Sequence, residues 1–481
     1  MQNYHYYKWF RKLVDGCIFL FFIVSLLSNL FVYTSFINGI VKYVLFTLIL
    51  VLFGTFVYFF REKIRETVNK CLSFLEQFSF TKLLLILISI SVFLKVFYTL
   101  FFFFDSTKAG SDISIYAGIA DKIAQEGISS VNDQIYYLVG FGLHIAVFKK
   151  LSIPYHIGIY VFFLLATVIN YFSFSRHISK EKSFLLLLLY LLMPSTCMLT
   201  FCITHELMVY FYFSLIHLLL SFFIESDSLK KSLVYAFLLS VGVVLNQTVS
   251  PMGKIWFIML FIMMCLTNID IKKRIILLLV ILISFVSSDF VTTRLEANFN
   301  SQNNNYEQLL IGSDLETMGR HSDGKGKRAA EEYWKSKGYH LKSDNFIEGE
   351  RGALIEQYKY LITHPTKLIE LLLNKFYVAW SGDYYSIEYA HNMNSINDLV
   401  FYILLLISAV IWLFVISVGV FFADRKKESD ITVYNYRIIL LGVVSVLLIT
   451  EIMNKYSCYM TAFIYFLAFE RAGLIDSAKE N

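Results

Sequence analysis

Residues 100–127 read LFFFFDSTKAGSDISIYAGIADKIAQEG, and here a long apolar run gives way to an amphipathic helix pattern. The apolar run ends at Asp105, and the helix pattern begins at Asp112. Ser111 or Asp112 can cap the helix by accepting a hydrogen bond from its first turn, and Gly127 is a suitable stop. A helix joined in this way to a membrane span should lie in the bilayer interface, where a polar reaction on a lipid-linked substrate could occur. Its predicted apolar face is Ile113, Tyr116, Ile119, Ala120 and Ile123, and its polar face is Asp121, Lys122 and Gln125.

The composition of the whole chain indicates a membrane protein. Of its 481 residues, 57% are hydrophobic, 17% aromatic and only 16% charged, and the mean hydropathy is +0.60. A water-soluble fold of this length could not bury so much apolar surface. We therefore predict an all-α polytopic membrane protein. The net charge of +5 is small and no basic stripe is present, so no nucleic-acid partner is expected.

The six cysteines do not have the spacing of a metal site or of a disulfide framework. They lie in or beside apolar runs, and we interpret them as small apolar side chains. No cofactor is expected; a divalent metal is left open, although nothing in the sequence indicates one. The cysteines are Cys17, Cys71, Cys197, Cys202, Cys265 and Cys458.

Apolar runs of suitable length predict about twelve membrane spans. Basic residues cluster at alternate span ends, which predicts a multi-pass protein of the cell membrane with both termini in the cytoplasm. The run 135–150 could be a short span or an interfacial segment. The interfacial alternative is favoured because it places four later basic loops on the cytoplasmic side. The predicted spans are about 13–36, 40–60, 82–104, 156–175, 182–202, 207–224, 231–250, 252–269, 273–290, 399–422, 436–453 and 456–474.

These spans divide the chain into four parts: an N-terminal hairpin and linker (1–81), a transmembrane core (82–290), an extracytoplasmic segment (291–398) and C-terminal spans (399–481). The core contains a first outer loop at 105–155. The extracytoplasmic segment has helical patterns near its middle and an amphipathic pattern at 365–380, which we interpret as interfacial. Three positions reach the outer face besides the first loop: His205–Glu206, the segment 291–398, and residues 454–456.

The order of these parts resembles the GT-C type glycosyltransferases, the class of the protein O-mannosyltransferases and the bacterial lipid A aminoarabinose transferase. The resemblance covers residues 82–474 and rests on an ordered set of motifs. These are GSDISIYAxxA at 110–120, a short interfacial segment at 136–148, Pro194 with THE at 204–206, the late outer segment, and ExxxKY at 451–456. Many relatives have an acid pair or Arg-Tyr where this chain has Ser111-Asp112 and Lys455-Tyr456.

The resemblance implies a sugar on a polyprenyl phosphate as donor and roles for three residues. Asp112 would be the catalytic base, Glu206 an assisting acid, and Lys455 a phosphate-binding cation. The residues themselves add Asp105 as a second candidate base. They also add possible substrate- or phosphate-binding residues near predicted outer span ends or in the late segment: Tyr116, Lys254, Arg320 and Tyr456.

The sequence thus predicts a transferase that moves a sugar from polyprenyl phosphate to an acceptor hydroxyl of a glycan, lipid or protein on the outer face. Membrane lipids are its other expected partners. One alternative is a cell-envelope polysaccharide polymerase or ligase, in which arginines and histidines of the late segment would act. Another is a flippase or transporter of lipid-linked glycans, against which the predicted spans count because they carry few ionisable residues at mid-depth.

Overall fold

The chain folds almost entirely into α-helices. A computed structural model describes residues 5–33, 40–101, 112–298, 306–318, 320, 325–342, 345–380, 387, 396–422, 430–450 and 458–472, without the side chains of Asp112, Ile113, Glu307 and most residues between 30 and 58. The structure is 85% helical, and none of these ranges contains a strand. The predicted all-α class is confirmed.

The helices of the first half of the chain include the predicted first-loop pair, α4 and α5. They are α1 (Lys8–Tyr33), α2 (Ile40–Glu76), α3 (Phe80–Phe101), α4 (Asp112–Glu126), α5 (Tyr136–Lys150), α6 (Tyr155–Phe174), α7 (Lys180–Leu192), α8 (Pro194–Leu199), α9 (Glu206–Glu225) and α10 (Leu229–Val249).

The second half contains the late helices and the C-terminal ones. They are α11 (Ile255–Leu266), α12 (Ile271–Leu295), α13 (Tyr306–Ser313), α14 (Lys325–Ser336), α15 (Phe346–Thr363), α16 (Pro365–Trp380), α17 (Asp398–Phe421), α18 (Ile431–Ile449) and α19 (Thr461–Arg471), with 3-10 turns at Ile128–Ser130, Pro251–Lys254 and Cys458–Met460.

Seven of the described helices are long and apolar enough to cross a membrane: α3, α6, α9, α10, α12, α17 and α18. Three of the other predicted spans form helices shorter than a crossing requires. The run 182–202 breaks at Met193 because Pro194 starts a new helix, α8, and has no N–H to continue the old one. The run 252–269 begins with the 3-10 turn Pro251–Lys254, so α11 has only 12 residues. The last predicted span contains α19, which has 11 residues.

Side-chain contacts fix the relative directions of the helices. Helices α6 and α9 run parallel, since Phe162 contacts Phe211 near their starts and Arg176 pairs with Glu225 at their ends. Helix α10 runs back along α9. We call the end at which α9 begins and α10 finishes the α4 end, because α4 packs there. The end that holds the Arg176–Glu225 pair is the opposite end.

Several helices begin at the opposite end with a capping side chain. Ser and Asp are strong N-caps because the side-chain oxygen accepts a hydrogen bond from an amide of the first turn. Such caps define the starts of α7, α10, α12 and α18. These starts lie at the same end of the bundle as the ends of α6, α9 and α11. The capping residues are Ser179, Ser228, Asp270 and Asp430.

The core lies around α9, α18 and α19, whereas α3, α12 and α17 are mostly on the outside. The most apolar 18-residue windows of α9 and α18 are 78% and 72% buried, against 28% for α3, α12 and α17. Tyr436 is central to the core, with its ring 3.6 Å from that of His217 and 5.3 Å from that of Phe463. An outer layer of exposed apolar helices around such a core is what a lipid environment requires.

The position of helix α5 bears on the interpretation of residues 135–150. At its start, the Tyr136 hydroxyl accepts a hydrogen bond from the Gln247 amide at the end of α10 (3.3 Å). At its finish, Lys149 lies 2.9 Å from Asp121 of α4. Both ends of α5 are therefore at the α4 end, as the interfacial alternative requires.

The late segment forms a small unit of three helices, which is followed by helix α16. Helices α13, α14 and α15 pack through Leu310, Ala329 and Leu354. The predicted amphipathic helix at 365–380 is present as α16, and one of its charged residues, Lys375, is buried. That ammonium is buried and donates hydrogen bonds to the carbonyls of Gly312 (2.9 Å), Leu448 (2.7 Å) and Thr450 (2.6 Å). Lys375 thus attaches the late segment to the last turn of α18.

Candidate functional site

The first-loop helix α4 meets the start of α9 at a cluster of three polar side chains. The hydroxyl of Tyr116 lies 3.0 Å from Nδ1 of His205. The same Nδ1 lies 3.7 Å from a carboxylate oxygen of Glu206. Residues that are far apart in the sequence, two of them predicted as site residues, therefore converge at the α4 end. We call Tyr116, His205 and Glu206 the junction cluster.

The apolar face predicted for α4 explains how the junction cluster is held. Tyr116, Ile119, Ala120 and Ile123 are all buried, and α4 rests on α5 through Ile119 and Gly142. The ring of Tyr116 lies edge-on against Phe141 of α5 at 5.0 Å. Contact with α5 thus holds the Tyr116 ring in place, and the Tyr116 hydroxyl reaches the start of α9. The structure gives this residue an internal partner, where the sequence predicted a substrate-binding side chain.

Glu206 is the first residue of α9 and is only 1% exposed. Its amide donates to the Thr204 hydroxyl (3.4 Å), which turns the chain into the helix. Placement at a helix N-terminus is favourable for a carboxylate, because the first-turn amides carry partial positive charge. A buried acid beside His205, whose side chain is 13% exposed, can orient that imidazole for proton transfer.

His205 is the residue that the sequence ranked below Glu206 and that the geometry places at the centre. Its ring is surrounded by aromatic rings, with centroids at 5.8 Å for Tyr116, 6.0 Å for Tyr137 and 6.3 Å for Phe141. A lone histidine near a span end carries no sequence signal of this role. Only the packing of α4 and α5 over α9 shows it.

The other predicted catalytic acids are placed only in part. Asp112 is the first residue of α4, one helical turn before Tyr116, and its side chain is outside the description. Asp105 lies outside the described residues. The predicted base is therefore located by its backbone alone, at the start of α4, the helix that carries Tyr116.

The predicted phosphate-binding residues do not all gather at the junction cluster. Lys254 is exposed at the end of a 3-10 turn that follows α10, at the α4 end. Arg320 is exposed and belongs to the late helical unit, where its amide donates to the Thr317 carbonyl (3.1 Å). Lys455 and Tyr456 lie outside the described residues. The next described residues begin at Cys458. Among them, Tyr459 packs on Phe213 of α9, with ring centroids 5.2 Å apart.

A buried lysine that was not predicted as a site residue lies near this end of the molecule. Lys95 lies within α3 and is 6% exposed. Its ammonium donates to the carbonyl (3.0 Å) and the hydroxyl (3.1 Å) of Thr200, on the connection that leads to Glu206. The signal was present as one lysine inside the apolar run 82–104, and that run was interpreted only as a span.

Ionisable side chains also meet at the opposite end, near the ends of three predicted spans. Arg437 of α18 is buried and forms ion pairs with Asp15 of α1 and, at 2.7 Å, with Glu470 of α19. Tyr434 donates its hydroxyl proton to Asp15 as well (2.8 Å). Arg437 thus contacts acidic side chains of two other helices, α1 and α19.

His144 and Asp121 of the first-loop helices have shifted pKa values. Burial lowers the pKa of His144 on α5, although a hydrogen bond with the Gly140 carbonyl opposes this. Partial burial raises the pKa of Asp121, but the Tyr155 hydroxyl and the Lys149 ammonium outweigh it, so the net direction is down. Neutral His144 and ionised Asp121 are therefore the forms that fit this packing.

A large cleft lies at the opposite end of the bundle. It encloses about 1310 Å³ between the ends of α6 and α9 and the starts of α10, α12 and α18. His177, Lys273 and Thr432 are among its lining residues, and no predicted site residue lines it. Among the residues that the structure describes, no group of three or more His, Cys, Asp or Glu side chains could hold a metal ion.

Comparison of the chain with models of known protein families found no match. Comparison with curated proteins found no similar sequence either.

Proposed function

We propose that this chain is a membrane glycosyltransferase of GT-C type that moves a sugar from a polyprenyl phosphate to an acceptor hydroxyl. The observation that carries the proposal is the junction cluster. It brings the helix that starts with Asp112 against His205 and Glu206 at one end of an apolar bundle. Such convergence of two outer loops is what the resemblance in motif order implies.

The proposed reaction is a single displacement at the anomeric carbon. A carboxylate, for which Asp112 is the candidate, takes the proton of the acceptor hydroxyl as its oxygen attacks. The bond between the anomeric carbon and the phosphate oxygen breaks, and polyprenyl phosphate leaves with the negative charge. Glu206 orients His205 beside this point, and Lys455 and Lys254 are candidates to offset charge on the leaving phosphate.

The proposal includes a multi-pass arrangement of about twelve spans. The seven long helices would be joined by α1 and α2, and by the shorter α7, α11 and α19 together with the residues that adjoin them. The opposite end carries the basic residues Lys180, Lys230, Lys231, Lys272 and Arg274. By the positive-inside rule it would face the cytoplasm with both chain termini, and the α4 end would face outward.

The two alternatives fit less well. A polymerase or ligase would place its chemistry on residues such as Arg320, which belongs to the separate late unit. A flippase or transporter would be expected to line a cavity with its buried charges. Arg437, Asp15 and Glu470 instead pair with one another in packed contacts.

Surface glycans test the proposal and separate it from the polymerase alternative. A deletion strain is complemented with the wild-type gene or with variants of equal expression, and its glycans are compared by mass spectrometry. We expect Asp112→Asn and Glu206→Gln to match the deletion strain, and Arg320→Ala and the exposed control Glu126→Gln to match the wild type. Loss of glycan with Arg320→Ala alone would favour the polymerase or ligase.

A further inference from the structure

The buried ammonium of Lys95 is placed where an anion could bind. Helix α3 is one of the long apolar helices, with a mean hydropathy of 2.4 in its most apolar window. A lysine inside such a helix is costly, and ionisable residues in spans usually mark a functional site. Lys95 lies six residues before Phe101, about 9 Å from the last described turn of α3 by helix geometry. It is therefore in the half of the helix nearer to the α4 end.

The described contacts of the Lys95 ammonium are all with neutral groups. An ammonium has three donors, and two of them meet the carbonyl and hydroxyl of Thr200. The charge also lies 3.4 Å from the centroid of the Phe201 ring. Within the described ranges no carboxylate contacts this ammonium, so its positive charge is not neutralised by a side chain there.

Two further polar side chains of α6 lie beside it. The Tyr160 ring is 5.5 Å from the ammonium, and its hydroxyl lies 3.0 Å from the Ser91 hydroxyl of α3. His156 stacks on the ring of Phe201 at 6.4 Å. Hydroxyl, imidazole and ammonium groups are suitable ligands for phosphate oxygens. They come together here at the seam between α3 and α6.

The rim of this seam is apolar and exposed. On α3, Val92 and Val96 are 41% and 50% exposed, and on α6, Ile157 and Val161 are 38% and 44% exposed. These residues flank the polar group along both helices. An acyl or isoprenoid chain lying on them would bring a phosphate head group toward Lys95 from the side of the bilayer.

We propose that Lys95, with His156 and Tyr160, binds the phosphate of a membrane-embedded polyprenyl phosphate at the seam between α3 and α6. The choice of this lipid rests on the proposed glycosyltransferase function. The site would hold the lipid phosphate while Thr200 links it to the connection that ends at Glu206. A lipid phosphate entering here supplies the negative charge that the described side chains around Lys95 do not.

The test is a binding measurement on the full chain purified in detergent. The probes are farnesyl phosphate, farnesol and inorganic phosphate, each titrated and followed by native mass spectrometry. We expect farnesyl phosphate to bind and the other two probes to bind far more weakly. Lys95→Met should weaken farnesyl phosphate binding about tenfold or more, the effect of losing one charge-assisted hydrogen bond. Lys95→Arg should restore most of it.

Lys82→Met is the matched control, since Lys82 is exposed at the other end of the same helix. His156→Phe, which keeps a ring against Phe201, is a second variant should Lys95→Met not fold. Unchanged farnesyl phosphate affinity in folded Lys95→Met, or in folded His156→Phe if Lys95→Met does not fold, would overturn the site. Equal binding of inorganic phosphate would overturn its lipid specificity. The probes carry no sugar, so binding can succeed even if sugar transfer is never observed.

Discussion

His205 is the residue through which α4 and the start of α9 are joined. Its Nδ1 faces both the Tyr116 hydroxyl and the Glu206 carboxylate. The hydroxyl at 3.0 Å and the buried carboxylate at 3.7 Å restrict the orientation of this imidazole, and an oriented imidazole is suited to proton transfer. The buried position of Glu206 is consistent with orienting His205 rather than with touching a large acceptor.

His144 on α5 makes the packing of the first-loop helices sensitive to pH. Its Nδ1 lies 2.7 Å from the Gly140 carbonyl, which can only accept, so this nitrogen carries the proton. Its Nε2, 2.7 Å from the Tyr212 hydroxyl, then accepts. Burial holds its pKa below the ordinary value of 6.5.

We therefore predict that acidification destabilises the contact between α5 and α9. Between pH 6.5 and the lower folded-state pKa, the unfolded chain binds the proton more readily, so folding stability falls as the pH falls through this window. Thermal unfolding at pH 7.5 and 5.5 measures the effect. His144→Gln, which cannot be protonated, should lower the melting temperature at pH 7.5 but reduce its change with pH. An unchanged pH response in the variant would assign it to other groups.

At the scale of the elements, α5 is the platform on which α4 and α10 are positioned. A Cβ added at Gly140 would lie 2.1 Å from the backbone oxygen of Thr248 in α10, a distance that no side-chain adjustment can relieve. On α4, by contrast, a Cβ at Gly118 would meet nothing within 4 Å. The two glycines form a matched pair for testing the platform.

We predict that Gly140→Ala lowers the stability of the protein by about 1–3 kcal/mol, the usual cost of overpacking. It should also reduce activity, because α5 would shift under Tyr116. Gly118→Ala should be neutral or stabilising, since alanine favours the helix. Thermal unfolding and the surface-glycan assay measure both effects. If the two variants behave alike, α5 is not the rigid support described here.

The elements show which parts of the fold the sequence could predict. Helix α4 was predicted from its apolar spacing and α16 from its proline and leucines, because local patterns determine helix type and exposed face. The interruption at Met193 and the burial of Lys375 were missed. Both depend on contacts between distant parts of the chain, such as Lys375 with the carbonyl of Thr450.

The residues of the candidate site that the sequence predicted are Tyr116 and the acids at two helix starts. Asp112 and Glu206 both begin helices, as expected from their positions after apolar or turn segments. The roles of Lys95 and His205 were not predicted, because a single lysine or histidine in an apolar run gives no periodic signal. Their significance comes from Thr200 and Tyr116, which lie on other helices.

At the scale of the whole molecule, the two ends of the bundle carry different features. The opposite end gathers the basic helix starts and the cleft of about 1310 Å³. The α4 end carries the junction cluster and the late helical unit. In the proposed arrangement a membrane separates these ends into two compartments, and the end with the basic helix starts would face the cytoplasm by the positive-inside rule.

This orientation predicts the accessibility of introduced cysteines in a background without the native ones. A cysteine at Glu126, exposed on α4, should react in intact cells with a thiol reagent that does not cross membranes. A cysteine at Lys231, exposed at the start of α10, should react only after the membrane is permeabilised. The reverse pattern would place the junction cluster in the cytoplasm and exclude an extracytoplasmic reaction.

The most direct test of the account is donor turnover by the purified chain. Lipid-linked sugars extracted from the deletion strain are supplied with that strain's acceptor fraction to the protein in nanodiscs, and released polyprenyl phosphate is measured by mass spectrometry. We predict release by the wild type and by Glu126→Gln, with Asp112→Asn and Glu206→Gln slower by about 100-fold or more. Wild-type rates in both acid variants, or no release by the wild type, would contradict the central claim that α4 and α9 form a glycosyltransferase site.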